Sequence, residues 1–481
     1  MLYEALAREI MLEFPHQPTA GQAEAVARLA QFATMPGEGI FILRGYAGTG
    51  KTTLIGALVR TLKRLDRPTL LLAPTGRAAK VFSRHSASPA YTVHRAIYRQ
   101  QTFRGEDTPF QLGFNPQPDT FFIVDEASML TDQPDSGSPF GSGCLLDDLV
   151  QYCFSRQDCK LLLVGDTAQL PPVGSEESPA LNPSVMRRYV AHVAECDLTE
   201  VVRQTQGSDV LAGATRLRQL LAEGADEPPR IDADDEGEVR HVSGAELIEV
   251  LDDAYSEEGT DETIVITRSN KQATAYNFGI RARIFDREEE LCSGDLVMCV
   301  KNNYYWTARH AAELEKGETM PISFIANGDT CRVVSLSNVH EMHGFHFADA
   351  TLAFPDYDNY ELSCRVLLDT LASETASLTP QQSTALYESV LADYAHIASR
   401  AERFKQMRQD PYYNALQLKY AYAVTCHKAQ GGQWRRVFID QGYLPPDASL
   451  RGYLRWLYTA FTRSADRLYL INWPAKQRYE D

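Results

Sequence analysis

Residues 45–52 read Gly-Tyr-Ala-Gly-Thr-Gly-Lys-Thr, preceded by the strand-like run Gly39-Ile-Phe-Ile-Leu-Arg44 and followed by the helix-forming stretch Thr53-Leu-Ile-Gly-Ala-Leu-Val-Arg-Thr-Leu62. No other feature constrains the fold as tightly. Strand, glycine-rich loop and helix, in that order, form the setting in which G-x-x-x-x-G-K-[ST] cradles phosphate. Gly45, Gly48 and Gly50 let backbone N–H groups converge on an anion without Cβ interference. The helix N-terminus adds partial positive charge, Lys51 a full one, and the Thr52 hydroxyl a ligand for Mg²⁺. Gly45, Gly48, Thr49, Gly50, Lys51, Thr52 and Thr53 are therefore expected to hold a nucleoside triphosphate. The loop alone does not say what the energy is used for.

With 481 residues the chain is too long for one ordinary core and suggests two to four domains. Hydrophobic content of 44% and charged content of 23% are those of a globular protein. No run has the apolar length that spans a bilayer, so no membrane role is expected. The N-terminus, Met1 to Ile10, is amphipathic and lacks a signal-peptide core. It reads as a helix packed on the first domain, and a cytoplasmic location is expected. Nine cysteines are scattered without a C-x-x-C pair, which argues against zinc or iron–sulfur sites and disulfides. A net charge of −17 argues against a general polyanion binder but leaves room for a local basic groove.

Short apolar runs end in polar residues at Ile40–Leu43, Thr69–Leu72, Phe121–Val124, Leu161–Val164, Thr263–Ile266, Val437–Ile439 and Leu468–Ile471. Helical patterns separate them, as in parallel α/β sheets with functional loops at strand C-termini. An early and a late group of runs predict two sheets. Residues 222–238, acidic and rich in Pro and Gly, read as an exposed linker or surface loop, and Ser136–Gly143 as a flexible loop. Tyr98 to Phe114 reads as a β-hairpin inserted in the first lobe. Residues 303–414 read as an insertion with strands at Thr330–Ser335 and Leu362–Leu368. A helix capped by Thr379 follows, with Leu386, Val390, Tyr394 and Ile397 on one face.

Phe121-Phe-Ile-Val-Asp125-Glu126 is an apolar strand ending in two carboxylates. In a phosphate-loop enzyme the first holds Mg²⁺ and the second orients and deprotonates the attacking water. The alternative is a pair capping a helix. Leu161 to Gly174 repeats the design, with Gln169 placed to meet a γ-phosphate or its water. Arg203 and Arg463 are candidate transition-state arginines, or else surface ion-pair residues.

Together these segments resemble the superfamily 1 DNA helicases of the B type, the RecD/Dda/Pif group. The resemblance runs from Pro18-Thr-Ala-Gly-Gln22 through Gly45–Thr53, Ala73-Pro-Thr-Gly-Arg-Ala-Ala79, Thr92-Val-His94 and Val124-Asp-Glu-Ala-Ser128. It continues through Gly165–Gly174, Leu198–Gln204, Thr267-Arg268, Asn327-Gly-Asp329, Tyr420–Gly431 and Tyr458–Arg463. It implies an α/β fold of two RecA-like parallel-sheet lobes, with a β-hairpin inserted in the first and a small β-barrel in the second. The implied layout is a first lobe at 1–205, a second lobe at 206–302 and 415–481, and a barrel subdomain with a long helix at 303–414.

The implied activity is ATP-dependent DNA unwinding with 5′-to-3′ movement, serving DNA repair, recombination or replication. The implied alternatives are a RecD-like motor subunit with nuclease or recombination partners, or an RNA helicase. ATP and Mg²⁺ are the implied cofactors, and single-stranded or tailed duplex DNA the implied partner. Gln22 would contact the base, Lys51 and Thr52 the phosphates and metal, and Asp125 the metal. Glu126 would activate water, while Gln169, Arg203 and Arg463 would sense the γ-phosphate. Pro74, Thr75, His94, Thr267, Asn270, Thr425, His427 and Lys428 would hold the strand by its backbone. The hairpin matches the family's strand-separating pin, with Phe103 and Phe110 as stacking residues, or it is an ordinary surface hairpin. Gln433 stands where many relatives carry an acid, which leaves nucleotide selectivity open. His340-x-x-His343-x-x-His346 has a metal-like spacing, but its surroundings read as a strand, which puts neighbours on opposite faces.

Overall fold

The computed structural model describes residues 2–99, 111–134, 140–200, 208–234, 236–314, 320–322, 324–445 and 447–479. The chain forms two compact units, Met1–Ile231 with Asp447–Thr462, and Asp232–Pro446 with Arg463–Asp481.

The first unit is built on a six-stranded, all-parallel sheet. Its order is Ala90–Thr92, Thr69–Ala73, Phe121–Val124, Lys160–Gly165, Gly39–Gly45, Val193–Leu198. Alternate residues of strand Gly39–Gly45 face opposite sides. Phe41 and Leu43 pack with Leu54, Leu58 and Leu62 of helix Lys51–Arg64, and all five are buried. Each such side chain contributes about 1.5–3 kcal/mol by leaving water. Leu6 and Ile10 of the N-terminal helix Leu2–Leu12 join the same core, as expected of that segment. Register aligns Arg44 with Gly165, Gly45 with Leu198, and Leu72 with Val124. The loops after residues 45, 73, 124 and 165 therefore lie along one edge of the sheet, where α/β proteins place their sites.

The second unit contains a five-stranded parallel sheet of order Ala423–Thr425, Thr263–Thr267, Trp434–Asp440, Ser464–Ile471, Val239–Val242. It also contains a closed barrel of Leu296–Cys299, Thr330–Met342, Phe345–Phe354, Tyr360–Leu367 and Leu416–Tyr420. Two parallel-sheet lobes and a small barrel are the architecture the sequence implies.

The boundaries differ in two places. Helices Asp209–Glu223 and Leu450–Phe461 belong to the first unit rather than the second. They pack together so closely that a Cβ on Gly213 would meet Phe461 at 2.8 Å. The barrel also reaches beyond 303–414, because Met298 pairs with Lys419 and Val297 with both Cys331 and Tyr420. Its first strand, Leu296–Cys299, is an apolar run like those of the neighbouring sheet, while its last, Leu416–Tyr420, is interrupted by Gln417 and Lys419.

Helix Pro380–Asp393 carries the expected Thr379 cap, extended to a capping box by Gln382, but stops short of Ile397. Tyr98–Arg99 pairs antiparallel with Gln111–Leu112. Phe103 and Phe110 lie outside the described residues. The Ser136–Gly143 stretch is pinned at its described end, where Phe140 is buried and the Ser142 N–H reaches Asp148 at 3.0 Å. His340 and His343 bond to Tyr412 and Ser389, respectively, and His346 lies beside Asp369. The described residues hold no His, Cys, Asp or Glu cluster able to bind a metal by itself. No helix among them is long and apolar enough to cross a membrane.

Candidate nucleotide site and nucleic-acid interface

Gly48 and Gly50 both sit at φ 79°, a backbone conformation open to glycine and strained for other residues. A Cβ on Gly45 would come within 2.8 Å of Thr49 Oγ1. Gly50 caps helix Lys51–Arg64 and offers no side chain to its first N–H groups, which suits them to an anion. Lys51 Nζ donates to the carbonyls of Gly45 at 2.5 Å and Tyr46 at 3.0 Å, so its ammonium is held over the loop. Thr49 is buried and donates to the Tyr46 carbonyl at 2.8 Å, which makes its side chain a brace.

Gln22 is also engaged within the chain. Its Oε1 accepts from the Thr19 N–H at 3.1 Å, closing a capping box, and its Nε2 donates to the Thr49 carbonyl at 3.1 Å. The residue expected to read a base thus also tethers the phosphate loop to helix Ala20–Thr34.

Asp125 and Glu126 follow strand Phe121–Val124. Asp125 Oδ1 accepts from the Glu126 N–H at 2.9 Å, and burial followed by the Glu126 charge pushes its pKa up to about 6, with Lys51 opposing. Glu126 adopts left-handed φ 51° and caps the short turn Ala127–Met129 without any side-chain capping bond. The helix-capping alternative for this carboxylate therefore fails. A non-glycine residue held in that region costs about 1–2 kcal/mol, a strain typical of functional sites.

Lys51 lies close enough to Asp125 and to Asp166 to lower both pKa values, although burial raises each overall. Gln169 is 7% exposed, and its Oε1 is buried without a hydrogen-bond partner among the described residues. A buried orphan acceptor costs about 1–3 kcal/mol, so Gln169 is poised for an incoming donor.

Two contributors lacked assigned roles in the sequence. Tyr458, on helix Leu450–Phe461, accepts from the Ala47 N–H at 2.9 Å and donates to Asp166 Oδ2 at 2.6 Å. Thr459 accepts from the Leu170 N–H at 2.9 Å. Tyr458 and Asp166 both lie in segments that carried the resemblance, but only folding shows that a hydroxyl ties the two together.

The donor set fits a divalent cation that shares its coordination with phosphate oxygens. Thr52 presents an exposed hydroxyl, and the adjacent carboxylates carry the mutual repulsion that a cation relieves. Mg²⁺ typically takes one or two carboxylates and completes its shell from substrate phosphate and water.

On the first unit's side of the expected strand path, Thr75 caps helix Gly76–Ser86, accepting from the Ala78 N–H at 3.2 Å, and Pro74 is half-buried beside it. The His94 ring lies 4.9 Å from Phe140 and 5.8 Å from Tyr98, and burial lowers its pKa to about 4. At neutral pH it offers an uncharged ring, suited to stacking. In the second unit, Thr267 is 0% exposed and its hydroxyl donates to Ser269 and Val424 carbonyls. It cannot touch a strand, and its role is to lock two strand ends together. Asn270 and Thr425 are half-buried, His427 exposed, and burial lowers the pKa of Lys428 to about 8. The pairing of Thr267 with Thr425 sets helix Asn270–Arg283 beside the turn Cys426–Ala429. Arg463 is 3% exposed and donates to the Gly432 carbonyl at 3.1 Å, so it is no surface ion-pair residue. Arg203 lies outside the described residues.

A phosphate loop, paired carboxylates and a glutamine acceptor on adjacent strand ends define the first unit as a P-loop nucleotide-binding domain. Residues 17–243 match the AAA domain family, and residues 420–471 match the UvrD-like helicase C-terminal domain. The ATP-dependent RecD2 DNA helicase of Deinococcus radiodurans is 34% identical over 140 residues, covering 29% of this chain and 17% of that protein. The ATP-dependent DNA helicase dda of Enterobacteria phage T4 is 25% identical over 274 residues, covering 53% of this chain and 55% of the phage protein. Both relatives are thus matched over less than two thirds of their length. A Pif1 helicase from Bacteroides, solved with ADP-AlF3 and ssDNA, has a TM-score of 0.46 and 14% identity over 97% of this chain and 95% of that one. In these two domains the chain is similar to the superfamily 1 helicases of the RecD/Dda/Pif-like group.

Proposed function

We propose that the chain is an ATP-dependent DNA helicase or translocase that moves 5′-to-3′ on single-stranded DNA. The observation that carries the reading is the gathering of Lys51, Asp125, Glu126, Asp166 and Gln169 at neighbouring strand ends, with Tyr458 hydrogen-bonded into the same loop. Lys51 and the N-terminus of its helix bind the β- and γ-phosphates, while Thr52 and Asp125 hold Mg²⁺, which neutralises phosphate charge. Glu126 orients and accepts a proton from the attacking water, and Gln169 hydrogen-bonds that water or the γ-phosphate. Arg203 and Arg463 are proposed to stabilise charge on the transferring phosphoryl group.

Pro74, Thr75, His94, Asn270, Thr425, His427 and Lys428 form the proposed backbone-tracking contacts. Hydroxyls, ring faces and one or two cations grip a strand without reading its sequence. The relatives named as ATP-dependent DNA helicases support the choice of DNA; a cytoplasmic site of action and service in repair, recombination or replication belong to the same proposal. ATPase turnover should rise with single-stranded DNA, and a duplex with a 5′ tail should be unwound. Unwinding only from a 3′ tail, or turnover indifferent to DNA, would sink the proposal.

A further inference from the structure

A second feature of the first unit lies outside this machinery. A pocket of about 300 Å³ has Arg44, Arg218, Arg451, Arg455, Tyr46 and one acid, Glu177, among its lining residues. It opens on the sheet face opposite helix Lys51–Arg64. Leu43 packs into the core that this helix shares, and strand alternation sends Arg44, the next residue, to the other side. Tyr46 belongs to both places: its carbonyl accepts from Lys51, and its ring lies 4.5 Å from the Arg218 guanidinium carbon.

Charge compensation within the pocket is uneven. Arg44 is paired with Asp197 at 2.6 Å and Glu195 at 2.7 Å. Arg451 reaches only an exposed Glu177, at 3.7 Å. Arg218 donates to the Thr199 carbonyl and Arg455 to the Glu176 carbonyl, and among the described residues neither has a carboxylate at ion-pair distance. Both are half-buried, and burial together with the Arg451 charge lowers the Arg455 pKa. Partly desolvated guanidiniums held near one another, with the exposed Glu177 as the one acid in the lining, are costly until an anion joins them. Planar guanidinium forks suit tetrahedral oxyanions.

We propose that this pocket binds a small phosphate-class oxyanion at a site separate from the phosphate loop and touching it only through Tyr46. The occupant is either inorganic phosphate or the phosphate chain of a second nucleotide. The test is equilibrium binding of radiolabelled phosphate and pyrophosphate to the full chain, with a non-hydrolysable ATP analogue saturating the loop. Saturable binding should survive the analogue and weaken at least about tenfold in Arg455→Gln and in Arg218→Gln, as expected for losing a charge-assisted contact. Tighter phosphate than pyrophosphate identifies the hydrolysis product as the occupant, and the reverse order a nucleotide. Should Arg455→Gln fail to fold, Arg218→Gln decides alone. Absence of binding beside the analogue, or binding unmoved by the substitutions, overturns the proposal.

Discussion

Lys51 and Lys428 are cations in different settings, and each makes a distinct prediction. The Lys51 ammonium is anchored on the Gly45 and Tyr46 carbonyls, where charge on a transferring phosphoryl group would develop. Lys51→Ala should cut ATP turnover by about 10²–10³, the usual effect of removing one electrostatic stabiliser. Its circular dichroism should match the parent, because the side chain bonds only to its own loop. Burial lowers the Lys428 pKa to about 8, from an ordinary 10.5. Between those values the unfolded chain holds the extra proton, so this residue makes stability rise with pH across the window. The folded chain meanwhile loses the charge, and affinity for single-stranded DNA should fall from pH 7 to pH 9. Lys428→Arg should flatten that fall, since a guanidinium stays charged throughout. A flat profile for the parent chain in fluorescence-anisotropy titrations would remove Lys428 from the strand contacts.

Elements rather than residues explain where sequence reading succeeded and where it stopped. The seven apolar runs became strands because each is a short β-branched or leucine-rich segment closed by polar residues. Strand Val193–Leu198 escaped because Glu195 and Asp197 break its apolar pattern, and their reason for being there, Arg44, lies on another strand. Helix Leu450–Phe461 was not singled out in the sequence, where only Tyr458–Arg463 carried the resemblance, and its long-range bonds alone reveal that it belongs to the first unit. Tyr458→Phe would leave Asp166 and the Ala47 N–H short of a partner, costing about 1–3 kcal/mol in urea unfolding and slowing turnover. Helix Asn270–Arg283 meets the entry to the first barrel strand through Arg281 and Asp295, which are 2% and 0% exposed and 2.9 Å apart. Arg287 and Tyr422 complete the cluster at 2.6 and 3.0 Å. Arg281→Ala should therefore destabilise the chain by about 1.5–3 kcal/mol, because it removes a charge-assisted contact from a buried carboxylate that keeps Arg287. Burial alone would raise the Asp295 pKa, but Arg281, the Cys292 N–H and Arg287 bring it below the ordinary 3.8. Its contribution is complete above that value and fades as pH falls through the lower folded one. Acid unfolding of Asp295→Asn should show a shallower pH dependence over this range than the parent.

On the scale of the whole molecule, the net charge of −17 and the proposed grip on DNA are compatible because only local potential matters along a strand path. Affinity should still fall with salt, by about 0.7 in log–log slope for each phosphate neutralised on a single strand. Lys428→Ala should lower that slope by about one such step. The order of the strands also bears on how the chain assembles during synthesis. Every strand of the first sheet comes from residues 39–198, so that sheet is complete in sequence before the second unit begins. The second sheet behaves otherwise. Strand Ser464–Ile471 lies between Trp434–Asp440 and Val239–Val242, so the last strand in sequence fills an interior position. Among the described residues Val239–Val242 has no other neighbour in the sheet, and it must wait for more than two hundred residues to emerge from the ribosome. During that interval its unpaired edge is exposed to chaperones and to mispairing, and the phosphate loop still lacks the Tyr458 hydroxyl that holds its Ala47 N–H.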